Sequence, residues 1–435
     1  MDEFVSSSIV PTKIDVRDLQ IGMYVSQLDK PWTESPFLFQ GFELKTQADV
    51  DAVRKECQYV YIDVEKKETY SRHHSKSSQT HQKKSFFNFF SKPNPTASNK
   101  HYSRVTVTPA PRVSFIQEID HATHTHRETS NLVRSFMEDV QLGRAINVAM
   151  AKKVVSHCVD SILHSPDALL LMSQLKKRDE YTAQHSMNVC ILSITLARQI
   201  GLSPEELNNI GLCGMMHDMG KMKVPLDILN KPDKLNDKEM LIMQSHAIEG
   251  SKILMSTKEI YTGTVDVAMK HHERLDGQGY PKGLAGKLIP LYTRIVTIAD
   301  VYDAISSDRV YQKGRTHLET INIMTKMCDL HLDRQLTLKF IEAIGIYPPG
   351  NVVELKSGEV AVVMETNPKN KLKPRILLLL NENKQPKPVE FVDLAMEEKI
   401  QVKDRTITQI VRPEKYNIDL TQYDFTNIVN GLLKK

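Results

Sequence analysis

The spacing of apolar positions changes character three times along this chain. Near the start, Tyr59-Val60-Tyr61-Ile62 is a β-branched and aromatic run that predicts a strand. Tyr24-Val25 predicts another after a turn at Gly22, and Ala48 to Lys55 predicts a short helix between them. From about Ser114 to Ile346 the period is helical. Val189, Leu192 and Leu196 share one face of a helix over His185 to Ile200. Ser203-Pro204-Glu205-Glu206 predicts a helix start, with a capping serine, a proline at the first helical position and a glutamate three residues after the cap. Asn236-Asp237-Lys238-Glu239 repeats the cap-and-glutamate pattern, and Arg294 to Ile305 and His317 to Leu330 predict further helices. After Tyr347-Pro348-Pro349-Gly350 the period becomes that of strands, at Val352 to Leu355, Glu359 to Met364 and Arg375 to Leu380. This β-rich appendage is expected to end near Leu394 and to give way to a tail.

The expected fold class is therefore mainly α. A helical-bundle domain occupies 113–346, behind a small N-terminal α+β domain at 1–65 and ahead of a small β-rich C-terminal extension and tail at 347–435. Residues 66–112 differ in composition. Ser, Thr, Asn, Lys and His dominate, with Pro93, Pro95, Pro109 and Pro111, so the stretch has too little apolar surface to fold alone and reads as a flexible basic linker. Its Phe86-Phe87-Asn88-Phe89-Phe90 run beside Lys83, Lys84 and Lys92 reads as an apolar patch packing on a neighbouring domain. The sharper alternative is a weak contact with a membrane surface or a protein partner. His73, His74, His81 and His101 in this stretch read as solubilising residues.

With 40% hydrophobic and 25% charged residues the balance is that of an ordinary globular protein. No run of about 18 apolar residues predicts a membrane span, and Asp2 and Glu3 stand where a signal peptide carries basic residues, so the expected location is the cytoplasm. A net charge of +4 does not call for a nucleic-acid polymer as partner. Cys57, Cys158, Cys190, Cys213 and Cys328 lack any C-x-x-C spacing, which argues against a disulfide framework and a zinc–thiolate site and for small buried side chains. The composition is compatible with a homodimer.

Seven residues of the helical region carry candidate chemistry: His185, His217, Asp218, His246, His271, His272 and Asp300. Successive stations lie about 25 to 32 residues apart, roughly one helix and one connection, so a bundle brings one station per helix to a shared centre. Five imidazoles and two carboxylates suit iron, manganese or zinc better than calcium or magnesium. Neighbours on a helix point about 100° apart, so His217-Asp218 and His271-His272 reach a cluster of ions more easily than they chelate one. A dinuclear centre is the economical reading, because two ions can activate a water and clamp a phosphate together. Any one of these histidines alone reads more readily as structural.

The surrounding text resembles a known family. His217-Asp218-Met219-Gly220-Lys221 and the longer run from His271-His272-Glu273 through Gly277-Gln278-Gly279-Tyr280-Pro281 resemble the two signatures of the HD-GYP family. Asp179 to Thr182, Ala299 to Ala304 and Ser307-Asp308-Arg309 keep the family's order, and the resemblance covers about 130–345. The first domain and the strand-rich segment resemble units that commonly flank such domains. The resemblance implies an HD-type helical bundle and a phosphodiesterase that opens cyclic di-GMP to pGpG, in some members onward to GMP. It implies two divalent ions, iron or manganese with zinc also permitted. The seven residues are then the ligands, with Asp218 bridging.

It further implies that Lys221 acts at the scissile phosphate and that Tyr280 and Pro281 wall the substrate. Arg309 then grips phosphate, assisted by Lys313, although the family often places a basic residue where this chain has Gln312. Glu273 and Asp303 are expected to orient imidazoles or basic groups, with plain surface carboxylates as the alternative. Some members carry a glutamate four residues before the first histidine ligand, where it helps hold a third ion. Tyr181 stands there in this chain, so two ions are expected. His121, His124, His126, His157, His164, His317 and His331 match no motif and are assigned no metal. The rival readings are a hydrolase of another cyclic dinucleotide, such as cyclic GMP-AMP, and a receptor that binds cyclic di-GMP without cleaving it.

Overall fold

Short polar residues start the helices because the first turn of a helix leaves amide protons without partners. Thr46, Ser114, Ser203, Asn236 and Thr316 each accept the amide three residues on, while that residue's side chain returns to the cap's own N–H. Each such cap stabilises its helix by about 1 kcal/mol. The computed structural model of the protein describes residues 4–30, 42–44, 46–70, 113–175, 181–308, 313–396 and 403–432. The chain divides into two compact units, Met1–Val105 and Thr106–Lys435.

In the first unit, strands β1 (Phe4–Asp15), β2 (Tyr24–Leu28), β3 (Phe42–Glu43) and β4 (Tyr59–Tyr70) form an antiparallel sheet in the order β1-β4-β2-β3. Helix α1 (Gln47–Glu56) adds Val50 and Val53 to a core with Val25, Leu28, Leu44, Val60 and Ile62. Strand β4 runs five residues into the stretch that composition assigns to the linker. Its polar 66–70 end is held by the backbone of β1, in register from Phe4↔Tyr70 to Asp15↔Tyr59. The rest of that stretch, including Phe86 to Phe90, lies outside the described residues.

The second unit is built from α2 (Phe115–Gln141), α3 (Val148–His164), α4 (Pro166–Gln174), α5 (Tyr181–Gln199) and α6 (Pro204–Met216). These are followed by α7 (Leu226–Leu229), α8 (Asp237–Gln244), α9 (His246–Met255), α10 (Thr262–Lys270), α11 (Leu291–Ser306), α12 (His317–Met327) and α13 (Arg334–Ile344). Helix α5 is central and packs against α2, α6, α11 and α13. Val189, Cys190, Ile191, Leu192, Ile194 and Leu196 are all buried there, so its apolar residues surround the axis and do not form one stripe. Helix α12 stops at Met327, short of the expected Leu330, because Cys328 turns extended and Asp329 takes φ +68°.

The next strands form one antiparallel sheet in the order β8-β7-β6-β5-β9: β5 (Val352–Leu355), β6 (Val360–Glu365), β7 (Arg375–Leu380), β8 (Pro386–Asp393) and β9 (Ile407–Val411). Val360, Val362, Met364, Leu377 and Leu379 join the same core as the helices, so the sheet is a wall of the helical unit. The β-rich part does not end near Leu394. Strand β9 closes the far edge beside β5, and the helix Phe425–Leu432 returns to pack on α2. Both depend on partners distant in sequence, which a local pattern does not reveal. All five cysteines are buried thiols. Among the described residues, no helix is long and apolar enough to cross a membrane.

Candidate metal centre

Four of the seven expected ligands sit where one helix stops. His217 and His271 are the C-caps of α6 and α10, with Asp218 and His272 next in the chain. His246 opens α9 just after α8 ends at Ser245, the C-cap of α8. The last carbonyls of a helix have no intrahelical partner, and the imidazoles use them. His217 Nδ1 lies 2.8 Å from Gly214 O, His246 Nδ1 2.6 Å from Met243 O, and His271 Nδ1 3.0 Å from Ala268 O. Each Nδ1 therefore carries the proton, and each Nε2 lone pair points inward. His185 takes the same orientation by another route, with its Nδ1 2.7 Å from Asp303 Oδ2 and its Nε2 inward.

The inward atoms form two groups, Asp218 with His246, His271 and His272, and His185 with His217 and Asp300. Asp218 faces both. Its Oδ1 lies 3.4 Å from His246 Nε2 and 3.6 Å from His271 Nε2, and its Oδ2 lies 3.4 Å from His185 Nε2 and 3.3 Å from His217 Nε2. Asp300 Oδ1 is 3.2 Å from His185 Nε2 and 4.0 Å from His217 Nε2. The Nε2 atoms of His271 and His272 lie 3.3 and 3.1 Å from His246 Nε2. With Nδ1 of His246 and His271 donating to carbonyls, their Nε2 atoms face one another as acceptors, an arrangement that a shared cation would satisfy.

The buried polar atoms test the fit of a metal. Among the described residues, His217 Nε2 and Asp218 Oδ1 are buried without a hydrogen-bond partner. An orphaned acceptor inside a protein costs about 1–3 kcal/mol, and coordination removes that cost. The electrostatics agree at His246 and His272. At His185, by contrast, burial is outweighed by the bonds to Asp218, Asp300 and Asp303, which raise the imidazole well above its usual range, so that a metal there would replace a proton. Burial pushes His246 down to about 4, opposed by Asp218 and reinforced by His271 and Lys221. Burial, then His271, holds His272 well below the usual imidazole range. Both are neutral at neutral pH. Burial disfavours the charged forms of Asp218 and Asp300, but the cations and imidazoles around them prevail and hold both well below the carboxylate range. The donor set fits divalent metal.

Lys221 Nζ lies 2.5 Å from Asp218 Oδ2 and is partly exposed, so it stands beside the centre with access to solvent. Gly220 makes this possible. A Cβ there would collide with the His246 carbonyl and the Gly250 backbone, so only glycine lets this turn lie against α9. Tyr280 stacks on His272 with ring centroids 4.7 Å apart and meets His246 edge-on. Burial raises its hydroxyl pKa further. Pro281 comes next, half-buried. Gly279 packs against the backbone of 272–274 where a Cβ would clash.

Asp303 does hold an imidazole. Its other oxygen accepts from Asn188 Nδ2 at 2.8 Å and Ser307 Oγ at 3.1 Å. Glu273 does something else. It is buried, and its two oxygens accept the amides of Lys282 and Leu284 at 2.8 Å each, pinning the loop behind Tyr280. Lys313 is exposed just before α12, Arg309 and Gln312 lie outside the described residues, and so does the side chain of Tyr181. Sequence reasoning passed over Asn188 and gave Ser307 no role of its own. Their spacing was the available signal, since Asn188 lies three residues after His185 and Ser307 four after Asp303, each on its partner's helical face.

A helical core that converges histidines and aspartates from α5, α6, α9, α10 and α11 on one buried centre defines an HD-type metal-binding domain. Residues 169–336 match the family described as HD domain. Residues 12–151 match a domain of unknown function, DUF3391, and 352–417 match a KOW domain associated with HD domain. The chain is 37% identical over 388 residues to a cyclic di-GMP phosphodiesterase of Pseudomonas aeruginosa, covering 88% of each. It is 40% identical over 148 residues to the cyclic di-GMP phosphodiesterase response regulator RpfG of Xanthomonas campestris, covering 34% of this chain and 39% of that one. It is 39% identical over 157 residues to 3′3′-cGAMP-specific phosphodiesterase 1 of Vibrio cholerae, covering 36% of each. The chain belongs to the family of HD-domain cyclic di-GMP phosphodiesterases, as its resemblance to the HD-GYP signatures implied.

Proposed function

We propose that this chain hydrolyses cyclic di-GMP to pGpG, and so lowers the level of a second messenger, with two divalent ions of iron or manganese held by the seven ligands. The observation that carries this reading is the split of Asp218, one oxygen to each group of imidazoles. When bound, the ions supply an activated water and an electrophilic clamp for phosphoryl oxygens. The protein does the rest. The helix-end carbonyls and Asp303 keep Nδ1 of His185, His217, His246 and His271 protonated, so that their ligand atoms are Nε2. Lys221 places an ammonium where charge grows on the scissile phosphate or its leaving 3′-oxygen. Glu273 holds the loop that sets Tyr280 and Pro281 at the side of the site.

Arg309 and Lys313 complete the phosphate contacts in this reading, a role for which the guanidinium fork of Arg309 is suited. The segment 71–112 acts as a tether, and the location is the cytoplasm. The similarity to a cGAMP-specific phosphodiesterase makes cyclic GMP-AMP the competing substrate. Anaerobic purification, metal analysis and turnover of both cyclic dinucleotides on one sample tests the reading. Expected are two ions per chain, preference for cyclic di-GMP, and loss of both turnover and metal in Asp218→Ala. An active Asp218→Ala protein with unchanged metal refutes it.

A further inference from the structure

Helix α8 buries none of its residues. It is nonetheless apolar over Met240, Leu241, Ile242 and Met243, and the first three are exposed, Leu241 by 67%. The capping box at Asn236 starts the helix, but so short a helix draws most of its stability from packing an apolar face on something. The exposed face continues into α9. Ser245, between the two helices, keeps helical angles of φ −62° and ψ −18°. The turn runs through it, with Ser245 N on Leu241 O at 3.2 Å and Glu249 N on Ser245 O at 2.9 Å. Ile248 and Met255 follow Leu241 at intervals of seven and are 37% and 71% exposed. Ala247, Gly250, Ser251 and Leu254 form the opposite, buried face of α9.

Apolar residues at every seventh position are what one helix offers another along a seam. This stripe is also symmetric about Ile248, with one apolar residue seven positions before it and one seven positions after. An antiparallel second copy, related by a two-fold axis at Ile248, sets Leu241 against the partner's Met255 and Ile248 against the partner's Ile248. At each end Asp237 and Lys238 then meet the partner's Lys258 and Glu259, so every acid has a base in reach. Leu226, exposed on the neighbouring α7, widens the patch. The charges disfavour a membrane as the occupant. Residues 226–259 carry five lysines against six carboxylates, which gives an anionic lipid surface no net attraction.

We infer that the α8–α9 stripe of Leu241, Ile248 and Met255 is the interface of a two-fold homodimer of this chain. The seam is narrow and about 28 Å long at 1.5 Å per residue, so the affinity belongs in the micromolar range of small interfaces. The pairing bears on the candidate metal centre. Met243 lies in α8, and its carbonyl accepts from His246 Nδ1 at 2.6 Å. A partner seated on α8 therefore steadies the helix that orients a ligand.

The test uses full-length, metal-loaded protein. Sedimentation velocity from about 1 to about 200 µM is expected to show a monomer–dimer equilibrium. Leu241→Asp and Ile248→Asp change exposed positions, and circular dichroism checks that they fold. Each is expected to weaken the dimer at least about 100-fold, because a two-fold interface counts every change twice. Cysteine cross-linking reads the geometry with milder changes. Under copper phenanthroline Ile248→Cys is expected to link to itself, and Leu241→Cys to link to Met255→Cys but not to itself. The native cysteines are buried thiols and stay out of the reaction. Maleimide labelling of Leu241→Cys is expected to be fast in dilute protein and several-fold slower in concentrated protein. Slow labelling at both concentrations means that another part of the same chain covers the stripe, and it overturns the inference. So does a monomer across the whole range, a dimer untouched by both aspartates, or self-linking of Leu241→Cys. Binding to anionic vesicles that both aspartates abolish would make a membrane the occupant and overturn it as well.

Discussion

Asp303 Oδ2 accepts a hydrogen bond from His185 Nδ1 across 2.7 Å, linking α11 to α5 underneath the candidate metal centre. The same carboxylate receives Asn188 and Ser307 on its other oxygen, so all three of these contacts are with donors. An asparagine cannot satisfy donors on both sides, because one side would meet its own NH2 group. Asp303→Asn is expected to weaken metal binding about 10- to 100-fold while the protein stays folded. Chelator competition with a chromogenic indicator measures this directly. An unchanged metal affinity removes Asp303 from the positioning role.

The number of ions is the second expectation. The ligand atoms fall into two groups, and the position four residues before His185 is Tyr181. A phenol, with its pKa near 10, is a poor anionic ligand at neutral pH. Two ions per chain are expected by elemental analysis after anaerobic purification, with anomalous scattering to locate them. Tyr181→Glu is the companion variant, in which a third ion is expected. Three full sites in wild type refute the argument.

Glu273 is the third test. It is buried, and its carboxylate accepts two backbone amides of the loop that comes after Tyr280. Hydrogen bonds to a charged group contribute about 1.5–3 kcal/mol each. Glu273→Ala is expected to cost about 3–6 kcal/mol of stability and to raise hydrogen exchange at the amides of Lys282 and Leu284. If those amides stay as protected as in wild type, the clamp is not what orders the loop.

Asp167 carries a pH prediction at the joint between α4 and the sheet. Its Oδ2 accepts from Thr366 N at 2.8 Å and Thr366 Oγ1 at 2.7 Å. Burial raises its pKa to about 6, partly offset by those two bonds. A carboxyl whose pKa is higher folded than unfolded adds stability below its unfolded value near 4, and that stability is lost as pH rises through about 6. Asn keeps an acceptor for Thr366 and removes the buried charge. Asp167→Asn is therefore expected to be more stable than wild type at pH 7, by up to about 3 kcal/mol, with the advantage vanishing near pH 4. Chemical denaturation of both proteins at the two pH values checks it, and a difference independent of pH would contradict the assignment.

Much of the site was legible before any fold was known. The doublets His217-Asp218 and His271-His272 and the regular spacing of the stations reflect helix geometry, and the caps at Ser203 and Asn236 are local chemistry. Glu273 was harder to read. Its neighbours in sequence are ligands, which suggested an imidazole partner, but its bonds go to amides nine and eleven residues ahead in a loop that only the packed structure brings back.

The sequence by itself determined the helix period of the catalytic region, the seven histidines and aspartates that converge on one centre, and the family, because those are properties of residue type and short spacing. The tertiary structure alone decided which oxygen of Asp218 faces which imidazoles, that helix-end carbonyls orient His217, His246 and His271, and that β9 closes the sheet beside β5. It alone brought Arg412 to Asp308, 104 positions away. The physical reason is common to these cases. Backbone and side-chain hydrogen bonds are short-ranged and directional, so partners far apart in the chain are settled by how helices and sheet share one core.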